Sequence, residues 1–297
     1  MNDDFDIAIV GAGIAGASLA AEVGPHARVV LLEAEDQPGR HSTGRSAAFW
    51  AETYGGPLIQ PLTAASGPWL AERGFLGDRG GLTLARAGQE GEIDRFLGEF
   101  AAAGVRVERV DRATLEAAIP GLRPEWVAGV AEPDCQDIDV GGLHGWYLAQ
   151  ARKAGVRLVC RAELADAVFA NGKWTLTTAD GAILGSSILV DAAGAWADRV
   201  AGIAGVRPLG ITPLRRTMVQ LRTSPEPSPS LPLVLDIMGR FYFKPEGGRL
   251  WLSPHDEVPS PPCDAAPEEL DVAVAIDRLE QVVDWRIERV EHKWAGL

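Results

Sequence analysis

Three glycines, one glutamate and a run of small and hydroxylated residues carry the first legible chemistry. Gly11, Gly13 and Gly16 stand in the segment Gly11-Ala12-Gly13-Ile14-Ala15-Gly16. The first allows a tight turn, the second lets backbone amides approach a pyrophosphate, and the third lets a helix pack against a sheet. A helix start offers unpaired N–H groups and a partial positive charge to that anion. Glu33 follows Val29-Val30-Leu31-Leu32, where a carboxylate would accept hydrogen bonds from ribose hydroxyls. This chemistry is dinucleotide binding, and a nicotinamide enzyme would use the same fingerprint. The discriminator is the run from His41 to Ala48. Ser42, Thr43, Arg45 and Ser46 offer donors, while Gly44, Ala47 and Ala48 allow close approach. Such a segment suits the pyrophosphate and ring of an extended FAD. On composition alone it also reads as a polar surface loop.

The elements that must position these residues follow from the apolar pattern. Phe5, Ile7, Ala8, Ile9 and Val10 predict a strand entering the glycines, and an Ala-rich helix runs on through Val23. Helices are expected over Leu62 to Arg73, Glu90 to Ala103, Thr114 to Ile119 and Leu143 to Lys153. A strand at Val156 to Val159 precedes an antiparallel meander of Ala165 to Phe169, Lys173 to Thr178 and Ala182 to Leu184. Ser187 to Val190 is expected as a separate apolar strand leading to Gly194 and a second βα junction. Beyond Gly205, strands are expected over Arg216 to Leu221, Leu233 to Asp236, Arg240 to Lys244 and Leu250 to Ser253. A helix over Glu268 to Trp285 and a strand over Ile287 to Trp294 close the chain. The fold class is α/β: a Rossmann-like FAD-binding domain, interleaved with an α+β substrate domain built on a mixed or antiparallel sheet. The expected division is 1–53 plus 140–205 for FAD, and 54–139 plus 206–297 for substrate.

Composition narrows the partners. A formal charge of −13 over 297 residues argues against nucleic acid, whose phosphates need a basic face. The three scattered cysteines, Cys135, Cys160 and Cys263, have no metal-ligand spacing, so no metal is expected and a reducing cytoplasm suits the chain. The acidic start lacks a signal-peptide pattern. No apolar run is long enough to span a bilayer, which leaves peripheral membrane association open.

Longer motifs now add a family. Gly11 to Gly16, Glu33, HSTGRSAA (His41 to Ala48), VDAAGAWAD (Val190 to Asp198) and EHKWAGL (Glu291 to Leu297) together resemble the FAD-dependent D-amino-acid oxidase and dehydrogenase superfamily. The likeness is nearest to its bacterial D-arginine dehydrogenase branch. LTAAS (Leu62 to Ser66), AGVRPLG (Ala204 to Gly210) and FYFKP (Phe241 to Pro245) recur in the same order, so the resemblance spans the whole chain. It implies oxidation of a D-amino acid to its imino acid by hydride transfer to flavin N5, then hydrolysis to a 2-oxo acid and ammonia. Ala15, Glu33, Ala34, Ser42 to Phe49 and Leu164 match FAD-contacting positions, and Tyr54, Tyr242 and Arg216 match residues lining the substrate pocket. Without the family, Tyr242 reads equally as a sheet aromatic and Arg216 as a surface strand charge. Tyr54, beside Gly55-Gly56, has the character of a lid residue. The electron acceptor is not legible.

Departures from the pattern sharpen the expectation. The glutamate that selects basic substrates falls on Gly81, with Arg79 nearby expected to repel a cation. Asp78 is the one carboxylate that could substitute. Phe49 and Ala51 replace a histidine and a threonine. A neutral, apolar D-amino acid is therefore expected. The family continues past WAGL with a substrate-binding arginine and a flavin-closing segment, so the chain reads as truncated and is expected to bind FAD weakly. The alternatives are a non-catalytic FAD-binding fragment and a sibling acting on glycine, sarcosine or a 2-hydroxy acid.

Overall fold

Strands buried on both faces have no polar side to offer solvent, and two such strands lie at the heart of the first sheet. The computed structural model describes residues 4–297. In it β1 (Asp4–Val10) pairs in parallel with β2 (Val29–Leu32), which pairs in parallel with β9 (Arg157–Val159). On the other side β1 pairs in parallel with β12 (Ile183–Asp191), and β11 (Lys173–Thr178) and β10 (Leu164–Ala170) complete a six-stranded sheet. Alternation divides its core. Ile9, Val29 and Leu31 face α1 (Ile14–Val23) and α5 (Val140–Lys153), whereas Ala8, Val10, Val30 and Leu32 face the meander and α6 (Ala197–Ile203). This is the Rossmann-like part of a mixed α/β fold.

The expected strands Ala182 to Leu184 and Ser187 to Val190 are one continuous strand. Residues 183–186 of β12 are the antiparallel partner of β11, while its length from Gly185 onward runs parallel to β1. Serving both neighbours keeps the backbone extended through Gly185 and Ser186.

The second sheet has nine strands. Its path runs β17 (Val258–Pro259), β13 (Leu214–Ser224), β16 (Arg249–Ser253), β15 (Tyr242–Glu246), β14 (Leu233–Asp236), β5 (Gly81–Arg86), β7 (Trp126–Glu132) and β6 (Glu108–Asp111). β18 (Arg286–Gly296) pairs antiparallel along the length of β13. Helix α7 (Glu269–Glu280) covers it through Val272, Ala275 and Leu279, which pack against Val219, Phe243 and Leu252. This helix ends five residues before its expected limit at Trp285. Beyond it the backbone pairs with the loop after α4 instead: the Val282 carbonyl accepts from the Arg123 N–H at 2.8 Å and the Asp284 N–H donates to the Gly121 carbonyl at 3.0 Å. Helices α3 (Glu90–Ala101) and α4 (Arg112–Ala118) flank β5 to β7. A small third sheet of β3 (Phe49–Trp50), β8 (Gln136–Ile138) and β4 (Leu76–Asp78), beside α2 (Gln60–Glu72), lies between the larger ones. It carries the chain from the first sheet to Tyr54.

Candidate active site

The glycine turn is built by close approach. Gly11 has φ +99° and a Cβ there would lie 2.4 Å from the Ala192 carbonyl oxygen. A Cβ on Gly16 would lie 1.9 Å from the Gly11 carbonyl oxygen, so α1 reaches the sheet only with glycine there. Gly13 starts α1 with no side-chain cap. Two turns of chain are then fastened to it: Thr43 Oγ1 accepts from the Ile14 N–H at 2.9 Å, and His144 Nε2 meets the Ala12 carbonyl at 2.8 Å. The buried carboxylate of Glu33 accepts from the Ala12 and Glu35 N–H groups, both at 3.0 Å.

These groups open on a cavity of about 380 Å³ lined by Gly11, Gly13, Ala15, Glu33, Ala34, Ser42, Thr43, Leu164 and Gly194. Trp196, in the short helical turn after β12, packs at a tilt of 48° against His41, with ring centroids 4.5 Å apart, along the same wall. A second cavity of about 590 Å³ shares Gly39 and Thr43 with the first and passes Gly44, Ser46 and Ala48 to Lys244 and Trp251. A helix start whose N-cap is a glycine, a buried acid at a strand end and a glycine-lined groove fit FAD. Gly16, Arg45, Ala47, Phe49, Tyr54, Tyr242 and Arg216 line neither cavity.

Arg45 in particular turns its guanidinium away from the groove. It donates to the carbonyls of Ala265 and Ala295 at 2.9 Å and pairs with Asp264. Trp294 Nε1 donates back to the Arg45 carbonyl, and Ser42 Oγ donates to that of Leu297. The motifs HSTGRSAA and WAGL, distant in sequence, are thus spatial neighbours.

Beyond Ala48 the chain enters an aromatic cluster. Ala48 holds φ +57°, an uncommon left-handed conformation for alanine, and its carbonyl is gripped by Lys244 Nζ at 3.0 Å. The ring of Phe49 meets those of Tyr54 and Tyr242 edge-on at 4.9 and 5.6 Å. Burial pushes the Tyr242 phenol up to about 12. From β13, Arg216 donates to Tyr54 Oη and to the Asp256 carbonyl, each at 2.8 Å, and pairs with Glu257. The three predicted pocket residues are therefore brought together, with Phe49 between the tyrosines.

The pocket holds residues that the sequence did not single out. His255 lies against both tyrosines, with ring centroids 6.1 Å from Tyr54 and 5.3 Å from Tyr242. Glu132 pairs in register with Gly81, so a carboxylate does stand beside that position. Its oxygens accept from Thr53 Oγ1 and from the Glu52 and Thr53 N–H groups, and burial raises its pKa. Arg79 does not threaten a cationic ligand as expected. Its guanidinium is held by Asp137 at 2.8 Å and by the carbonyls of Pro229 and Leu231. No local pattern marked His255 or Glu132, because Glu132 becomes significant only through strand register and His255 only through the hydrogen bonds of its loop. Among the described residues no group of acids, histidines or cysteines could hold a metal ion, and no helix is long and apolar enough to cross a membrane.

Residues 6–297 match the family model described as DAO, FAD dependent oxidoreductase. Solved structures share the fold. The chain is 22% identical to glycine oxidase from Geobacillus kaustophilus, with a TM-score of 0.82, covering 99% of this chain and 82% of that one. Against L-proline dehydrogenase from P. horikoshii the identity is 20% and the TM-score 0.84, covering 100% and 82%. Against FAD-bound L-α-glycerophosphate oxidase from Mycoplasma pneumoniae the identity is 18% and the TM-score 0.89, covering 99% and 82%.

Proposed function

The chain belongs to the family of FAD-dependent oxidoreductases, with FAD as its cofactor, and from that premise we propose that it oxidises a neutral, apolar D-amino acid. The observation that carries this reading is the meeting of Arg216 with Phe49, Tyr54 and Tyr242 where the flavin-facing segment ends. Gly11, Gly13, Ala15, Glu33, Ala34, Ser42, Thr43 and Leu164 would hold the nucleotide part of FAD. Gly44, Ser46 and Ala48 would border its ring end. Residues 1–53 and 140–205 would form the FAD-binding half, and residues 54–139 and 206–297 the substrate half.

FAD, when bound, would supply the two-electron oxidation of the substrate amine to an imine. The chain supplies orientation. Arg216 presents a planar fork suited to a carboxylate, and its exposed partner Glu257 is the group such a ligand would displace. Phe49, Tyr54 and Tyr242 give the side chain apolar walls and keep water from the reacting carbon. The buried acid nearest the pocket, Glu132, is already engaged by the Glu52–Thr53 backbone and the Thr53 hydroxyl. This favours a neutral side chain over arginine.

Anaerobic addition of amino acids to the FAD-loaded chain tests the reading. Bleaching of the flavin by D-leucine or D-phenylalanine, with little by D-arginine or the L-forms, is expected. Preferential bleaching by glycine, sarcosine or a 2-hydroxy acid would replace this substrate class with a sibling's. Absence of bleaching by every compound would favour a non-catalytic flavin-binding protein.

A further inference from the structure

His255 follows β16 in a loop that fixes its orientation from both sides. Its backbone has φ +54°, in the left-handed region that few non-glycine residues occupy and that Asn, Asp and His enter most readily among them. The conformation is imposed by neighbours. The His255 N–H donates to Ser253 Oγ at 3.0 Å, and the Asp256 carboxylate accepts from Thr217 N–H and Oγ1 at 2.7 and 2.8 Å. Arg278 of α7 donates to the carbonyls of Arg240 and Pro254, tying the two flanking loops together.

The imidazole is then read atom by atom. Nδ1 lies 2.8 Å from the Gly239 carbonyl oxygen, which can only accept, so Nδ1 carries the proton. Nε2 is left as a bare acceptor, 3.4 Å from Tyr54 Oη. Arg216 Nη1 can only donate, and it donates to that same hydroxyl oxygen at 2.8 Å. The Tyr54 proton is thereby directed at His255. The chain of donors runs one way, from Arg216 through Tyr54 and His255 to Gly239, and no member can reverse it.

We propose that neutral His255 is a positioning residue for substrate capture, latching the Tyr54 hydroxyl so that Tyr54 and Arg216 close the pocket together. Protonated His255 has no acceptor left at Nε2 and would set a second cation against Arg216, so the latch releases on acidification. The charged and titratable groups around it are Arg216 from β13, Tyr54 from the β3–α2 connection, Tyr242 from β15, and Asp256 and Glu257 from its own loop. Burial, then the Arg216 charge, lowers the imidazole pKa from its ordinary 6.5, which keeps the latch made at neutral pH.

The proposal rests on the D-amino-acid reading for its kinetic arm but not for its spectroscopic one. H255N keeps a residue tolerant of the left-handed backbone while falling short of Tyr54. For one hydrogen bond lost, KM for the preferred D-amino acid should rise about three- to tenfold, with kcat held within about twofold. Below the lowered imidazole pKa, the wild-type KM should rise towards that of H255N, whose own profile should be flat there. An unchanged KM, or an acid limb that survives in H255N, overturns the latch. Independently, nitrogen-15 histidine spectra of the full chain, assigned with H255N, should show the neutral Nδ1–H tautomer, with an Nε2 signal that moves in Y54F. An Nε2–H tautomer or an insensitive signal overturns it. Spectra as expected without any flavin bleaching would keep the latch and discard the D-amino-acid reading.

Discussion

Glu33 and Glu132 are both buried carboxylates that accept backbone N–H groups, yet they invite opposite tests. Glu33 holds the Ala12 and Glu35 amides at the edge of the nucleotide cavity. In E33Q an NH2 group must face one of those donors, leaving a buried amide unpaired, and charge-assisted bonds are lost besides. FAD affinity should fall about tenfold or more, read by fluorescence titration of flavin-free protein. An unchanged Kd would remove Glu33 from the cofactor site. Glu132 answers to pH instead. Its folded pKa is raised above the ordinary 4.5 by burial, so between the two values the folded state binds more protons than the unfolded chain. Stability from this group is therefore gained as pH falls through that window and lost as pH rises. E132Q cannot titrate. The Tm of wild type relative to E132Q should increase on going from pH 8 to pH 5, and a constant difference would show that Glu132 ionises as freely folded as unfolded.

At the scale of elements, two glycines three residues apart, Gly13 and Gly16, separate fold from binding. G16A places a methyl group on the Gly11 carbonyl within the β1–α1 turn. Backbone faces backbone there, so nothing can yield, and a destabilisation of about 1–3 kcal/mol is expected from urea unfolding. G13A meets only the Thr43 hydroxyl, at 3.2 Å, a side chain that can rotate. It should lose FAD affinity with a smaller loss of stability, and equal stability losses in the two variants would refute the separation. This βαβ unit was legible because its signals are local: apolar strand, glycine spacing, terminal acid. The run Ala182 to Val190 was misread as two strands because Gly185 and Ser186 look like a break when the partners are unknown. The length of α7 was misjudged for a related reason, since the residues after Glu280 pair with the distant Gly121–Arg123 loop. Tyr54, Tyr242 and Arg216 were reached only through family likeness. His255 and Glu132 escaped because cross-strand register and loop hydrogen bonds, rather than spacing, bring them to the pocket.

At the scale of the whole molecule, Arg45 stands at a cross-connection between the segment leaving the first sheet and the last strand of the second. Residues 42–48 follow the first sheet, Ser42, Thr43, Gly44, Ser46 and Ala48 among them bordering one or both cavities, while β18 belongs to the second sheet. Arg45 joins them by donating to Ala265 and Ala295 and pairing with Asp264, and Trp294 and Ser42 add bonds on either side. Most of these partners are main-chain carbonyls, so the brace holds backbone to backbone across the cofactor groove. Its Asp264 arm is half-exposed and contributes little by itself. The Ala295 residue is fully buried, and a carbonyl stranded there is the larger penalty. R45A should therefore cost about 1–3 kcal/mol, although Arg45 lines neither cavity. If the brace couples the sheets, R45A should also weaken FAD binding and expose the 42–48 segment to limited proteolysis, while added FAD restores protection by mass action. Loss of stability with FAD affinity and proteolysis unchanged would mean that the two sheets hold the groove independently. Arg45 would then be a fastening of β18 alone, and the conjunction of HSTGRSAA with WAGL would serve folding rather than the cofactor.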